Sequence, residues 1–304
     1  MGQQTTPSYI VYQCYGDEAI FHECAYSLLT LSQLYRPEEL AHLQIWIYTD
    51  KPEWFRAFRH CPLPLHYRKL DDALIKQWKG EIDFVHRVKI ELLRDLMQTR
   101  AGNILYLDTD TVFLHRIDNL LQAIESGRVY MHTMEGIVSN EGNPIMKKLS
   151  FYLRDQQTIK ISGKVLHDTA MWNAGVIGFN TRYHVVLDEA LFFTDMVHPQ
   201  FPKHVVEQFA ISLYFQVAAN IHAASPWLLH YWNVKEFRSV LASFFSYFKT
   251  DSWDELTLHS RMVQLHVIMQ EKVSFLSNRT VLDKLKKDTW EPVIPEWPLL
   301  LQQL

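Results

Sequence analysis

Apolar and polar positions alternate along the first hundred residues in blocks that predict strands and helices in turn. Apolar runs over residues 9–14 and 43–48 predict strands, and the second run is apolar on both faces, as in an interior parallel strand. A third strand is predicted at residues 65–70, after the breaks at Pro62 and Pro64. Helical spacing of apolar residues marks 17–35 and 84–100, and Gly102-Asn103 supplies a typical helix exit. This order predicts an α/β fold with a parallel sheet of the nucleotide-binding kind, whose functional residues lie at the carboxyl edge of the strands.

The most unusual run covers residues 104–113, where an apolar strand pattern is interrupted by two carboxylates and then resumes. Asp108 and Asp110 lie one residue apart within this run. Burying unpaired charge is costly, so two acidic groups at the end of a buried strand indicate a bound metal or an active site. A surface Asp-Thr-Asp turn is the structural alternative.

Beyond residue 113 the predicted elements become shorter and less regular. The pattern predicts a helix at 118–126, a strand at 129–133, a polar loop at 135–144 and a strand at 172–180 with small residues near its start. Helices are predicted at 183–196 and 205–218, followed by a short strand and loop at 226–235. Because residues 236–276 have a helical, aromatic pattern, the chain divides into a domain of residues 1–235 and a C-terminal helical extension, residues 236–304, packed on it.

The composition narrows the class of protein. The chain has 304 residues, 48% of them hydrophobic, and a formal net charge of -4 without a basic block, which argues against a nucleic-acid partner. Its three cysteines lack metal-site spacing and fit reduced thiols, so a cytoplasmic location is expected. No apolar stretch is long enough for a transmembrane segment. The ten glycines contain no G-x-G, which disfavours nicotinamide chemistry, and P-loop, HExxH and zinc-finger patterns are also absent.

The sequence Leu-Tyr-Leu-Asp-Thr-Asp of residues 105–110, followed some sixty residues later by Asn173-Ala174-Gly175, resembles the GT-A glycosyltransferases, and most of all their family 8 group. The resemblance covers roughly residues 8–235 through a few short motifs. It implies a GT-A-type, Rossmann-like mixed sheet flanked by helices, with a C-terminal helical and aromatic extension. It further implies metal-dependent transfer of a sugar from a nucleotide-diphosphate donor, with a UDP-sugar favoured, to a hydroxyl of a glycan, lipid or protein acceptor.

The resemblance also implies a metal site. In that family the two aspartates, here Asp108 and Asp110, hold Mn²⁺ or Mg²⁺ against the donor diphosphate. A later H-x-x-G-x-x-K-P-W motif supplies a histidine ligand and a lysine that touches the phosphates, which implies these roles for His230 and Lys235. This chain departs from the motif, because Asn233 replaces the glycine, the spacing is one residue shorter and no Pro-Trp follows. A histidine packed in an apolar strand is the alternative for His230.

Two further segments match the family near the transferred sugar. Asn173, Ala174 and Gly175 resemble its N-A-G segment, where small residues leave room for a hexose and an amide both donates to and accepts from hydroxyls. A tightly packed strand start is the alternative for this segment. Glu207-Gln208 resembles its Asp-Gln pair near the acceptor, although such a pair is also ordinary at the start of a helix.

Other candidates are less closely tied to a motif. Arg87 lies in the helix before the acidic strand, where the family has an arginine that reaches the donor, but it also fits a solvated helix position. The loop at Tyr15 follows the first strand, where these enzymes hold the nucleotide base. No catalytic base stands out, and Glu207, Asp168 and Glu135 are the carboxylates to test.

Two other functions remain open on the sequence. Asp108 and Asp110 also fit the nucleophile and acid/base of haloacid-dehalogenase-type phosphatases. That motif normally ends the first strand and needs a late Gly-Asp motif, whereas Gly16-Asp17 is the only such pair here. A non-catalytic protein that binds nucleotide sugars or carbohydrate is the third possibility. The aromatic helix at residues 240–248, together with the proline-spaced, leucine-rich tail, suits a peripheral membrane contact, a homodimer contact or, because the helix has few basic residues, buried packing.

Overall fold

The computed structural model describes residues 6–40, 42–140, 143–155, 166–279 and 289–302. Within these ranges eleven strands form three sheets, and a seven-stranded sheet is the centre of the protein. The strands are β1 (Ser8–Gln13), β2 (Leu43–Thr49), β3 (Leu65–Lys69), β4 (Asn103–Leu107), β5 (Thr111–Phe113), β6 (Val129–Met131), β7 (Met134–Ile137), β8 (Ala170–Trp172), β9 (Val176–Asn180), β10 (Ile221–Ala223) and β11 (Leu228–His230).

The helices flank this sheet and follow its strands in sequence. They are α1 (Glu18–Ser32), α2 (Pro52–Arg56), α3 (Asp72–Lys79), α4 (Arg87–Thr99), α5 (Asp118–Glu125), α6 (Pro144–Asp155), α7 (His184–Val197), α8 (Val205–Ala218), α9 (Phe237–Tyr247), α10 (Trp253–His259), α11 (Leu265–Asn278) and α12 (Trp297–Leu301). None of the helices in the described ranges is long and apolar enough to cross a bilayer.

The central sheet is mixed, with the order β10-β6-β9-β4-β1-β2-β3. Strands β1 to β4 are mutually parallel, whereas β9 runs antiparallel to both β4 and β6. The predicted α/β class with a mixed, helix-flanked sheet is therefore confirmed. Two small antiparallel sheets, β5 with β11 and β7 with β8, lie beside it.

Both faces of the sheet are covered, which explains why its inner strands have successive apolar residues that point to opposite faces, as at residues 9–12 of β1 and 104–107 of β4. In β1, Ile10 and Tyr12 join the core on the side of α1, α5 and α9, while Tyr9 and Val11 join the core on the side of α4, α7 and α8. Such continuous apolar strands are typical of parallel sheets covered on both sides.

The structure corrects several predicted boundaries. Helix α4 begins at Arg87 instead of residue 84, because the backbone N–H groups of residues 87–89 bond to the carbonyls three residues earlier, in turns instead of the α-helical pattern of four. The loop predicted at 135–144 contains most of β7, and the strand predicted at 172–180 is divided between β8 and β9. Pairing between β7 and β8 depends on residues that are distant in sequence, so the local pattern does not reveal it.

The C-terminal helices share the core of the sheet. Phe237, Val240 and Phe244 of α9 are buried in the same apolar cluster as Ile10 and Tyr12 of β1. The apolar face of this helix is therefore packed inside the protein. Contact of the C-terminal region with a membrane or a second copy stays a prediction. The division of the chain at residues 235 and 236 stays a prediction.

Candidate active site

The acidic turn lies at the carboxyl end of β4, and the strand pairing beyond it brings a histidine alongside. β5 starts at Thr111 and pairs antiparallel with β11, so that His230 stands opposite Thr111. The backbone N–H of Tyr231 donates to the carbonyl of Asp110 over 3.0 Å, and the N–H of Asp108 donates to the carbonyl of Gly175 over 2.8 Å. Hydrogen bonds of the backbone therefore place the three segments of the site together.

Asp108, Asp110 and His230 form a cluster of metal-ligating type, with one ligand atom from each residue within 4.8 Å of the others. Nε2 of His230 lies 3.1 Å from Oδ1 of Asp110 and 3.8 Å from Oδ2 of Asp108. The side chains of Asp110 and His230 are only 7% and 6% exposed. Two carboxylates and one imidazole suit Mn²⁺, and carboxylates also suit Mg²⁺.

Cationic groups already hold Asp110 in its ionised form. Nζ of Lys235 lies 2.5 Å from Oδ2 of Asp110, and the Lys235 side chain is 51% exposed. Burial opposes the charge on Asp110, but hydrogen bonds and charge attraction from His230 and Lys235 outweigh it and hold the pKa of Asp110 below its usual range. The predicted lysine thus lies beside the cluster despite the altered motif.

The Asn173-Ala174-Gly175 segment packs against the histidine. A Cβ built on Gly175 would lie 2.1 Å from Nδ1 of His230, so only glycine leaves space for the imidazole ring. Oδ1 of Asn173 lies 2.7 Å from the same Nδ1. The Cβ side of Gly175 therefore faces the imidazole, which the pairing of β11 places there. Asn173, Ala174 and Gly175 all line the cavity described below, and room for a hexose beside them stays a prediction.

Lys89 is a residue of the site that the sequence prediction missed. It is 5% exposed, and its Nζ donates to the carbonyl of Ala174 over 3.0 Å. The same Nζ lies 3.3 Å from Oδ1 of Asp108 and 3.4 Å from Oε1 of Glu207. Burial disfavours its charge, but the two carboxylates outweigh that effect and raise the pKa of Lys89. Its place on the apolar stripe of α4, three residues before Leu92, was the available signal.

Glu207 and Gln208 open helix α8 and face the same space. Glu207 is 2% exposed, and burial raises its pKa to about 7, although Lys89 acts in the opposite direction. Its contact with Lys89 is an ion pair without an aligned hydrogen bond, since Oε1 has no hydrogen-bond partner. Gln208 donates from Nε2 to Oε2 of Glu135 over 2.8 Å.

These groups line one cavity of about 670 Å³, a size suited to a small molecule. Besides the residues above, Tyr15 after β1, Trp232 and Arg238 form part of its wall. Arg238 makes a bidentate ion pair with the buried Glu23, at 2.8 and 3.0 Å.

Two predicted site residues are not brought to the cavity. Arg87 is engaged elsewhere, with ion pairs of 2.7 Å to Asp195 and 2.8 Å to Glu91. Asp168 has a side chain that is 61% exposed and accepts a hydrogen bond from Ser139. Neither residue lines the cavity.

No family model and no curated protein matches the sequence. Among solved structures, mouse xyloside xylosyltransferase 1 in its apo form is similar over 71% of this chain and 84% of its own, with 11% identity and a TM-score of 0.48. The galactosyltransferase LgtC in complex with donor and acceptor sugar analogs gives 68% and 70% coverage, 13% identity and a TM-score of 0.44. The glycosyltransferase GlyE of Streptococcus pneumoniae gives 89% and 64% coverage, 14% identity and a TM-score of 0.47. At this level of similarity, function has to be argued from the site itself.

Proposed function

We propose that this chain is a metal-dependent glycosyltransferase of the GT-A type, which transfers a sugar from a nucleotide-diphosphate donor to a hydroxyl acceptor. The observation that carries the proposal is the convergence of Asp108, Asp110 and His230, three residues from two distant segments, at the wall of a cavity of about 670 Å³. A UDP-sugar is the favoured donor through the resemblance of the motifs alone.

The residues present fit a divalent cation. The ligand atoms of Asp108, Asp110 and His230 lie within 4.8 Å of one another, and their oxygen and nitrogen donors match the preferences of Mn²⁺. When bound, the cation would supply positive charge that stabilises the departing diphosphate. Lys235 adds a second positive charge next to Asp110, and its 51% exposure lets it reach phosphate oxygens in the cavity.

On the sugar side, Ala174 and the amides of Asn173 and Gln208 lie at the cavity wall, where they can contact hydroxyls of the donor or acceptor. Glu207 is the carboxylate that we favour for proton transfer, because its pKa of about 7 is close to the optimum for a general acid or base at neutral pH. Lys89 holds Asp108 and Glu207 in one arrangement through its contacts with both.

The phosphatase alternative fits these contacts less well. Its second aspartate, Asp110, would have to donate a proton, but His230 and Lys235 keep that carboxylate ionised. Asp108 also follows the fourth strand along the chain and not the first. A non-catalytic binding protein would share the same cavity, so only turnover separates it from an enzyme. The acceptor class and a cytoplasmic location stay predictions.

The test is hydrolysis of a panel of nucleotide sugars in the presence of Mn²⁺, Mg²⁺ or a chelator, with wild type and Asp110→Ala compared. We expect metal-dependent turnover of one donor and its loss in the variant. Metal-dependent phosphate release from simple phosphomonoesters would support the phosphatase instead, and tight nucleotide-sugar binding without turnover would support a binding protein.

A further inference from the structure

Glu135 of β7 links two amide side chains at the cavity wall. Its Oε1 accepts a hydrogen bond from Nδ2 of Asn173 over 2.9 Å, and its Oε2 accepts one from Nε2 of Gln208 over 2.8 Å. Both carboxylate oxygens are therefore engaged by residues from other elements. Since a carboxylate accepts but never donates, it dictates which end of each amide faces it.

The orientation of Asn173 is determined from two sides. Nδ2 faces Glu135, and Oδ1 accepts a hydrogen bond from the backbone N–H of Gly175 over 3.0 Å. A flipped amide would set its carbonyl against the carboxylate and its NH₂ group against the N–H of Gly175, so both contacts would become repulsive. Oδ1 is thereby held toward Nδ1 of His230, 2.7 Å away.

The acceptor oxygen Oδ1 of Asn173 selects one tautomer of the His230 imidazole. Oδ1 of Asn173 requires a hydrogen on Nδ1 of His230, which leaves the lone pair of the neutral ring on Nε2. Nε2 is the atom that lies 3.1 Å from Asp110 and 3.8 Å from Asp108. With a hydrogen on Nε2 the ring donates to Asp110 across this 3.1 Å contact; without that hydrogen, the lone pair faces the two carboxylates with which it would share a cation.

We propose that Glu135 is a positioning residue, which acts through Asn173 to keep His230 in the tautomer and orientation that present Nε2 to a divalent cation. The inference rests on the metal site of the proposed function. A group that bonds a metal-ligating histidine directly, as Asn173 does here, typically contributes a factor of 10 to 100 to metal affinity. Glu135 lies one step further out, so its removal should cost about the lower end of that range. The same carboxylate ties Gln208 to this arrangement, which links the metal side of the cavity to the start of α8.

The experiment measures Mn²⁺ affinity by titration calorimetry for wild type, Glu135→Ala, Glu135→Gln and the matched control Glu125→Ala. Glu125 is an exposed residue at the end of α5, outside the cavity. We expect roughly 10-fold weaker binding for Glu135→Ala, the lower end of the range for direct partners of a metal ligand, and wild-type affinity for the control. Glu135→Gln has one acceptor oxygen for two amide donors, so its affinity should lie between the two.

A second measurement separates positioning from a general structural effect. Ring ¹⁵N shifts of His230 in protein labelled at histidine and loaded with Mg²⁺ should report a single Nδ1–H tautomer in wild type and a mixture in Glu135→Ala. The inference is overturned when Glu135→Ala, still folded by circular dichroism, keeps both wild-type Mn²⁺ affinity and the single tautomer. Failure of the proposed function looks different, because wild type would then bind Mn²⁺ and turn over no nucleotide sugar, whatever the effect of Glu135.

Discussion

Gly175→Ala is the substitution whose effect can be worked out most fully from the structure. The added Cβ would lie 2.1 Å from Nδ1 of His230, whereas side-chain atoms essentially never come within 3.0 Å of a Cβ. The imidazole must therefore retreat by roughly 1 Å, or the backbone must shift by a similar amount. Such a movement breaks the 2.7 Å contact with Asn173 and misplaces Nε2 relative to Asp110.

The substitution should have two effects, one on folding stability and one on Mn²⁺ affinity. Forcing an extra methyl group into a packed site costs about 1–3 kcal/mol of folding stability. The misplaced ligand should weaken Mn²⁺ binding at least 10-fold, which corresponds to about 1.4 kcal/mol. The second effect is specific to the site, because Gly175 packs directly against His230 and its carbonyl accepts from the N–H of Asp108.

Gly178→Ala is the matched control in the same stretch of chain. Its Cβ would meet Cδ1 of Ile124 at 2.8 Å, which is the movable end of a side chain remote from the cluster. The assay compares urea denaturation with Mn²⁺ titration for the two variants. We expect both to lose stability but only Gly175→Ala to lose Mn²⁺ affinity. Unchanged affinity in a folded Gly175→Ala protein would refute the assigned position of His230.

Three more predictions concern charged side chains that are wholly or largely buried. Lys89→Met should lower the free energy of unfolding by about 3–5 kcal/mol at pH 8, because it leaves the carboxylates of Asp108 and Glu207 without their cation. The loss should be smaller at pH 5, where these carboxylates can take up protons, and an equal loss at both pH values would contradict the prediction. In the folded protein Glu207 has a pKa of about 7, whereas an ordinary glutamate has a pKa near 4.5. The free energy of unfolding of wild type should therefore fall by about 3 kcal/mol as the pH rises between these values and stay level above them. Urea denaturation of Glu207→Gln should lack that fall, and an unchanged slope would disprove the assignment. Arg87→Ala should lose about 1.5–3 kcal/mol of folding stability, because its ion pairs with Asp195 and Glu91 are lost, and should keep the wild-type KM for the donor. A raised KM would show that Arg87 contacts the donor after all.

The part of the fold that depends on local periodicity was predictable from the sequence. The strands around Ile10, Ile45 and Leu105 stand out because a sheet covered on both faces favours apolar residues at successive positions of its inner strands. The antiparallel direction of β9 and the pairing of β7 with β8 were not predictable, since they depend on contacts between residues far apart in the chain.

The candidate site likewise contains residues that the sequence reveals and residues that only the fold reveals. Asp108 and Asp110 stand out because charge is rarely placed inside an apolar run without a partner. Lys89 was overlooked because a lysine beside a helical stripe usually extends into solvent, and only the fold shows that Asp108 and Glu207 surround it. Glu135 was grouped with other carboxylates, and its contacts with two amides could not be inferred from a segment predicted as a loop.

The most direct test of the metal cluster is Mn²⁺ binding followed by electron paramagnetic resonance, with wild type and His230→Ala measured side by side. The arrangement of His230 with Asp108 and Asp110 predicts stoichiometric binding of one ion by wild type. It also predicts clearly weakened binding by a variant that remains folded. Equal Mn²⁺ affinity in the two proteins would contradict the cluster and, with it, the metal-dependent mechanism.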